Sequence, residues 1–364
     1  MVGNKVKRIL SRPIFLLCVI ILLGIVIYIT IPSIKSDIVF ILEMVLSLMI
    51  VISFHELGHI CFGCYAGFHF HFFAVGPVLI IKEQKKVSLK ENKNLAFFGG
   101  ASYMFPPKKS NEIKNRYILY LLGGPLFSMF GAMGSYLLWL NNSLDYFLWL
   151  STLHLAIFIV TAIPATRKNK NDGGLIFLLL RNDFVSNQMI VCFLVSAEMC
   201  GIKRPREWNT DLVRQSLAFW ENPTEDTCSV NMFLFYYFSD KGGIEMGIKY
   251  IQPILYATDI KKNKLVSSFF YSVFMMYKLF KDENDISEYK ELSHYISPFD
   301  RIAYKRAQII MQYLNNDKKN LLINLKEFES LLLKSRNNYG YFDLEIDWLV
   351  LLKNIVKQKN ESNY

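Results

Sequence analysis

Residues 53–62 read SFHELGHICF, and within them two histidines and one glutamate have a spacing that can bind and use a metal ion. Positions i and i+4 lie on one face of an α-helix, so His55 and His59 can direct imidazole nitrogens at the same metal. Glu56 projects about 100° around the helix axis, which places it beside a metal-bound water. The H-E-x-x-H spacing therefore predicts a zinc hydrolase site with Glu56 as the general base.

The motif lies in one of four apolar runs that are long enough to cross a membrane, which takes about 20 helical residues. The runs are residues 14–33, 38–66, 117–140 and 144–164. The alternative to a metal site is a pair of buried histidines satisfied by neighbouring groups. Three ionisable groups this close together in a membrane helix are costly, however, and favour a functional site. His55 follows Asp37 by about 27 Å of helix, which predicts a site near the cytosolic face.

A catalytic zinc site has three protein ligands and an open position for water, so a third ligand is needed. Two candidates follow in the sequence: His154 in the fourth apolar run and Asp172 just beyond that run. Asp172 stands in NKNDGGLIF, where two glycines allow close approach of the backbone and an apolar stretch can re-enter the protein. Asp172 is therefore the better candidate.

Together these motifs resemble the site-2 protease family of intramembrane zinc metalloproteases. The resemblance covers about residues 38–182: HELGH in a membrane helix, a glycine-rich element, a span opening with GGPLFS, and Asp-Gly after a proline-containing turn. It implies that Zn²⁺ is the cofactor, that Asp172 is the third ligand, and that the substrate is a membrane-spanning or membrane-tethered peptide. The chain departs from the family at Thr161, which stands where an asparagine associated with holding unwound substrate is common. A longer segment, ATRKNKN, also separates Pro164 from Asp172.

A small membrane-associated β element is predicted between the second and third apolar runs. FHFHFFAV alternates at period two, and the sequence from Val78 reads as strand, turn and strand ending at Gly99 and Gly100. A protease can hold a peptide extended by adding it to a sheet edge. Gly99 and Gly100 at the end of this element are therefore candidate substrate-binding residues. The resemblance adds Thr161, at the position of the family asparagine, and His154 in the fourth apolar run is a further candidate. His154 could steady an oxyanion or hydrogen-bond across helices, and both possibilities stay open.

Lysines and arginines are distributed unevenly around the apolar runs, and this predicts the orientation of the chain. They precede the first run, fill the loop after the second, and follow the fourth: Lys5, Lys7, Arg8, Arg12; Lys82, Lys85, Lys86, Lys90, Lys93, Lys108, Lys109, Lys114; Arg167, Lys168, Lys170. The positive-inside rule then predicts a multi-pass protein of the cell membrane whose N-terminus, central loop and residues beyond 165 are cytosolic. The formal charge of +10 needs no nucleic-acid partner, because anionic lipid attracts these positions.

Composition separates the chain into two parts. With 52% hydrophobic residues and a mean hydropathy of +0.23, its 364 residues are too apolar for a wholly soluble protein, and the excess lies in residues 1–201. Residues 202–364 show helical periodicity without strand signals. We predict a mainly α fold: a polytopic membrane helix bundle with the small β element, followed by a cytosolic α-helical hairpin-repeat-like domain.

Residues 173–201, at the end of the membrane part, contain a break in their apolar pattern. Arg181 and Asp183 interrupt the apolar pattern of residues 173–201, which we interpret as two re-entrant or short helices that return to the cytosolic surface, with short crossings as the alternative. The helical domain could bind a protein partner through a concave face. Six cysteines show no disulfide framework, and the CFGC spacing is interpreted as small residues used for packing.

Two functions from different classes fit the sequence. The first is a membrane-embedded zinc endopeptidase that cleaves a peptide bond with zinc-activated water. The second is a catalytically silent membrane scaffold of the same fold that acts with a peptide-export or signalling partner. The complete set of His55, Glu56, His59 and Asp172 favours the enzyme, because a scaffold has no need for the glutamate.

Overall fold

The computed structural model describes residues 10, 12–83, 86–107, 112–166 and 170–361. Several charges on which the predicted orientation depends lie outside the described residues: Lys5, Lys7, Arg8, Lys85, Lys108, Lys109, Arg167 and Lys168. The chain divides into two compact units between Asn187 and Gln188, and each is described by itself.

Four helices of the first unit are long and apolar enough to cross a membrane: α1 (Pro13–Thr30), α2 (Lys35–Tyr65), α3 (Ile113–Asn142) and α4 (Asp145–Ala162). They coincide with the four predicted apolar runs to within a few residues. Many of their apolar side chains are exposed, among them Leu22, Leu137 and Val160. Such exposure suits a lipid environment, and the crossing itself stays a prediction.

A four-stranded antiparallel sheet follows α2, with the strand order β3-β2-β1-β4. The strands are β1 (His69–Val75), β2 (Val78–Glu83), β3 (Lys86–Glu91) and β4 (Ala101–Phe105). The last predicted strand ends at Gly99 and Gly100, whereas β4 begins just after them and was not predicted. β4 has only five residues and pairs with β1, about thirty positions earlier, so no local hairpin signal marks it.

Helices α2 and α3 pack closely through small residues. Gly58 of α2 lies directly against Gly123 of α3, and Gly131 of α3 lies against His154 of α4. Ser151 of α4 also donates a hydrogen bond to the carbonyl oxygen of Ala132 at 2.8 Å. These contacts hold the three helices around the motif in α2.

Two shorter helices follow α4: α5 (Asp172–Leu180) and α6 (Phe184–Met199). At 1.5 Å per residue, α5 is only about 13 Å long and α6 about 24 Å, so each is shorter than a hydrocarbon core of about 30 Å. Asp183 separates them and accepts a hydrogen bond from the backbone N–H of Ser186 at 3.0 Å. The predicted pair of short helices is present. Whether either crosses a membrane stays a prediction.

In the second unit, all the regular secondary structure of the described residues is helical. After α6 they are α7 (Thr210–Ser216), α8 (Cys228–Gly242), α9 (Ile244–Ile248), α10 (Gln252–Tyr256), α11 (Thr258–Lys262), α12 (Lys264–Phe280), α13 (Ile286–Ser293), α14 (Arg301–Leu314), α15 (Lys318–Arg336) and α16 (Phe342–Glu361), with a short 3₁₀ turn at Pro205–Glu207. Val191 and Val195 of α6 are buried in this unit's apolar core. The division falls inside α6, and the domain boundary expected after residue 201 stays a prediction.

A polar network lies inside this second core. Arg306 of α14 and Glu345 of α16 are both almost fully buried and form an ion pair at 2.5 Å. Tyr236 donates a hydrogen bond to the other oxygen of Glu345 at 2.7 Å, and Arg306 donates one to Ser272 at 2.6 Å. Since buried charges are stable only when paired, these bonds tie four helices to one arrangement.

Candidate metal centre

The two histidines of the motif and Asp172 converge on one point. His55 Nε2 lies 3.2 Å from His59 Nε2, and Asp172 Oδ2 lies 3.3 Å and 3.5 Å from these nitrogens. Both histidines are buried, as expected for one helix face turned toward the protein interior, and Asp172 is half-buried. Helix α2 therefore supplies two of the three groups, and the start of α5 supplies the third.

These separations fit a tetrahedral zinc ion. Zinc binds nitrogen and carboxylate oxygen at about 2.0–2.2 Å, and tetrahedral geometry then places neighbouring ligand atoms about 3.3–3.5 Å apart. The three observed distances lie close to that range. Two imidazoles and one carboxylate are also the donor set of several catalytic zinc sites, in which a fourth position stays free.

The remaining ring nitrogens of the histidines have partners on α3. His59 Nδ1 lies 3.0 Å from the carbonyl oxygen of Tyr120, which can only accept, so Nδ1 carries the proton. In the neutral ring, Nε2 then carries a lone pair that lies 3.5 Å from Asp172 Oδ2, and a lone pair in this position can bind a metal ion together with the carboxylate. His55 Nδ1 lies 3.0 Å from Ser128 Oγ. Partners of this kind orient ligating histidines in metal sites.

The backbone of α3 leaves space in front of the two imidazoles. A Cβ at Gly124 would lie 2.6 Å from His55 Nε2 and would overlap His59 Nε2. A side chain at this position would therefore occupy the volume on which the three groups converge. Gly124 and Ser128 both belong to the GGPLFS segment, and neither was a predicted site residue.

The carboxylate of Glu56 lies against β4 and the glycine that precedes it. Ser102 Oγ donates a hydrogen bond to Glu56 Oε2 at 2.5 Å. Gly100 adopts a φ of +96°, and a Cβ there would lie 2.9 Å from Glu56 Oε1 and 2.6 Å from a methyl carbon of Ile52. The left-handed conformation and the close approach both require glycine, so the chain entering β4 fits tightly around the carboxylate.

Tyr120 connects the two halves of the site. Its carbonyl oxygen accepts from His59, and its hydroxyl donates a hydrogen bond to the carbonyl oxygen of Ser102 at 2.9 Å. Sequence reasoning missed Tyr120, Ser102 and Ser128. A serine or tyrosine carries no local signal of such a role, and a carbonyl acceptor carries none at all.

The four candidate substrate-binding residues have different positions. Gly100 contacts Glu56, whereas Gly99 is exposed with open space around its Cα. Thr161 donates its hydroxyl to Ile157 of its own helix at 2.8 Å. His154 lies edge-on to Phe54 at 5.5 Å and against Gly131, about 10 Å along α3 from Gly124. Of the four, the structure brings Gly100 alone to the catalytic motif, and their role in substrate binding stays a prediction.

Comparison with known proteins gives one match. The sequence profile of the family described as Peptidase family M50 matches residues 43–316. The matched region contains His55, Glu56, His59 and Asp172 and extends through most of the helices of the second unit. No match was found among curated proteins or among solved structures.

Proposed function

Since the chain belongs to peptidase family M50, the site-2 protease family of membrane metalloproteases, we propose that it is a zinc-dependent intramembrane endopeptidase. The observation that carries the proposal is the convergence of His55, His59 and Asp172, whose ligand atoms lie 3.2–3.5 Å from one another. The substrate would be a peptide or protein that spans the membrane or is tethered to it.

His55, His59 and Asp172 would hold the metal, and Gly124 would keep the space in front of them free. A bound zinc ion would act as a Lewis acid that polarises the scissile carbonyl and lowers the pKa of water to about 7. The hydrogen bonds of His59 to Tyr120 and of His55 to Ser128 would keep both Nε2 lone pairs directed at the same point.

Glu56 would act as the general base. Its carboxylate would take a proton from the attacking water and deliver it to the nitrogen of the leaving amine. Ser102 holds one oxygen of this carboxylate, which restricts its rotation and leaves Oε1 as the atom that accepts the proton. Such proton transfer typically contributes about 10²–10⁴ in rate.

The edge of the sheet offers a way to hold the substrate extended. β4 pairs with β1 on one side, and the described part of the chain provides no strand for its other side. A peptide added along β4 would pass Ser102, whose side chain contacts Glu56. This arrangement would bring an unwound peptide bond to the base. Gly99, Thr161 and His154 would then contact the bound peptide further along its length.

The membrane arrangement is part of the same proposal. Residues 1–201 would form the membrane-embedded protease domain, and residues 202–364 would form a cytosolic helical domain that selects the substrate or a protein partner. The N-terminus and this domain would face the cytosol, which agrees with the lysine and arginine distribution. The four long apolar helices support a multi-pass assignment by their length and composition.

The proposal is tested with the purified full-length protein and three chains: the native protein, His59→Ala and Glu56→Gln. The native protein should contain zinc, and His59→Ala should lose it. Glu56→Gln should retain zinc, and membrane peptides that accumulate in cells carrying it should be cut by the native protein. A native protein that binds these peptides without cutting them would instead support the silent scaffold.

A further inference from the structure

Asn171 directly precedes Asp172, and its side-chain amide makes four hydrogen bonds to the backbone. Its oxygen accepts from the N–H groups of Ala165 at 2.9 Å and Gly174 at 2.8 Å. Its nitrogen donates to the carbonyl oxygens of Val160 at 2.5 Å and Ile163 at 2.6 Å. An asparagine amide has two donor hydrogens and two acceptor lone pairs, so this side chain is fully used.

The four partners belong to three successive segments. Val160 lies in the last turn of α4, Ile163 and Ala165 lie in the turn that follows, and Gly174 lies in the first turn of α5. The amide therefore joins the end of one helix to the beginning of the next across the lysine-rich ATRKNKN segment. We call this set of four bonds the Asn171 clamp.

The clamp is reinforced by close backbone packing. A Cβ at Gly173 would overlap the carbonyl oxygen of Ala162, and a Cβ at Gly174 would overlap that of Ala165. The first turn of α5 therefore lies directly on the end of α4, with no side chain between them. This packing requires the two chain segments to keep one relative position, which the amide of Asn171 fixes.

Asp172 depends on this arrangement for its position. It is the first residue of α5, a helix of nine residues, and it reaches His55 and His59 from the end of a connection whose residues 163–166 are exposed. Ordering such a connection costs conformational entropy, and each bond of the clamp reduces the number of conformations available to it. The bonds of Asn171 therefore restrict the positions that Asp172 can take relative to the two imidazoles.

We propose that Asn171 is a positioning residue for the third metal ligand: it holds Asp172 against His55 and His59 by clamping the start of α5 to the end of α4. This inference rests on the proposed function, because it assigns the clamp to the metal site. It also excludes a direct part in holding substrate, since the amide has no free donor or acceptor.

An ordinary helix cap is the competing explanation, and a serine separates the two. Asn171→Ser keeps a side-chain oxygen that can cap the N–H of Gly174, but it removes both donors to Val160 and Ile163. The matched control is Asn142→Ser, because the amide of Asn142 is exposed and donates to Leu138 in its own helix at 3.0 Å. Both variants are purified as full-length protein in detergent, beside the native protein and Asp172→Ala.

The measurements are the zinc affinity, by chelator competition, and the absorption spectrum of the Co²⁺-substituted protein. Loss of a residue that orients a metal ligand typically lowers metal affinity about 10- to 100-fold. We expect Asn171→Ser to show such a loss with a Co²⁺ spectrum shifted toward that of Asp172→Ala, while Asn142→Ser matches the native protein. Asn171→Ala should behave like Asn171→Ser, and retained helix content by circular dichroism would show that both variants fold.

Each result has one reading. Native affinity and a native spectrum in Asn171→Ser would overturn the clamp while leaving the proposed function intact. A native protein that binds neither zinc nor Co²⁺ would overturn the proposed function itself. Weaker binding in Asn171→Ser with an unchanged Co²⁺ spectrum would also contradict the clamp, because the ligand set would then be undisturbed.

Discussion

Gly58 of α2 and Gly123 of α3 bring the two helices into backbone contact: a Cβ on either residue would overlap the carbonyl oxygen of the other. This contact lies between the two histidines of the motif and the α3 residues that orient them. His55 and His59 flank Gly58, and Gly124 follows Gly123. The spacing of the two helices at this point therefore determines whether the imidazoles reach their partners.

Replacing Gly123 with alanine should push α2 and α3 apart. A methyl group in backbone contact cannot be accommodated by a side-chain movement, and overpacking of this kind costs roughly 1–3 kcal/mol. We expect lower thermal stability in detergent and a lower zinc content. Gly134→Ala on the same helix is the control, since a Cβ there meets nothing within 4 Å. Equal zinc content and stability in the two variants would contradict this account of the helix contact.

Removing the hydroxyl that holds Glu56 should slow the reaction without removing the metal. A hydrogen bond to a charged group contributes roughly 1.5–3 kcal/mol, so Ser102→Ala should lower kcat/KM about tenfold to hundredfold. Ser88→Ala is the control, because Ser88 donates only a 3.4 Å bond to Ile81 within the distal hairpin. In a Glu56→Gln background the effect of Ser102→Ala should nearly vanish. Full additivity of the two changes would argue against Ser102 acting through Glu56.

Metal removal should destabilise the protein in a way that zinc reverses. A ligand that binds only the folded state stabilises it by about 2.7 kcal/mol when present at 100 times its Kd. We expect a strong chelator to lower the Tm of the full-length protein in detergent, and added zinc to restore it. Asp172→Ala should show a much smaller zinc response, because one of three ligands is missing. If the Tm of the native protein were unchanged by the chelator, bound metal would not stabilise the fold and the prediction would be wrong.

The second unit should tolerate loss of an exposed carboxylate far better than loss of a buried one. Glu345→Ala would leave Arg306 buried and unpaired, and breaking such a pair costs roughly 3–5 kcal/mol. Asp347→Ala removes a 2.5 Å bond to Arg204, but the Asp347 side chain is 54% exposed, so we expect less than about 1 kcal/mol. Denaturant unfolding followed by tryptophan fluorescence would measure both. A comparable loss in the two variants would contradict the importance of the buried network.

The predicted orientation can be checked by labelling intact cells with a membrane-impermeant thiol reagent. Ser143→Cys, in the turn between α3 and α4, should react from outside. Lys318→Cys, at the exposed start of α15, should react only after the membrane is permeabilised. Both are introduced into a chain whose native cysteines are replaced by serine. Labelling of Lys318→Cys in intact cells would reverse the assignment of the second unit to the cytosol.

Long local patterns in the sequence were sufficient for much of the first unit. Apolar runs predicted the four long helices, because length and composition are properties of the segment itself. The i, i+4 spacing placed His55 and His59 on one face, and the two glycines after Asp172 marked a close approach of the backbone. The resemblance to the site-2 protease family, drawn from these motifs, is confirmed by the family match over residues 43–316.

Contacts between distant segments were not predictable in the same way. Ser102 and Glu56 are 46 positions apart, and His59 and Tyr120 are 61 positions apart. Neither pair belongs to a periodic pattern, and the acceptor on Tyr120 is a backbone carbonyl that every residue has. The short strand β4 was missed for the same reason, since it is defined by its partner β1. Thr161 was predicted as a candidate substrate-binding residue, whereas Asn171, which makes four hydrogen bonds beside Asp172, was not predicted.

Tyr120 uses its main chain for His59 and its side chain for β4, and this double use has a mechanical consequence. A peptide that pulls on β4 would transmit force to the orientation of the His59 imidazole through one residue, without a relay of intervening contacts. Binding of a peptide at β4 would then change the orientation of His59, and a change in that orientation would alter peptide binding. An enzyme built in this way would be sensitive to how a peptide is seated as well as to its sequence.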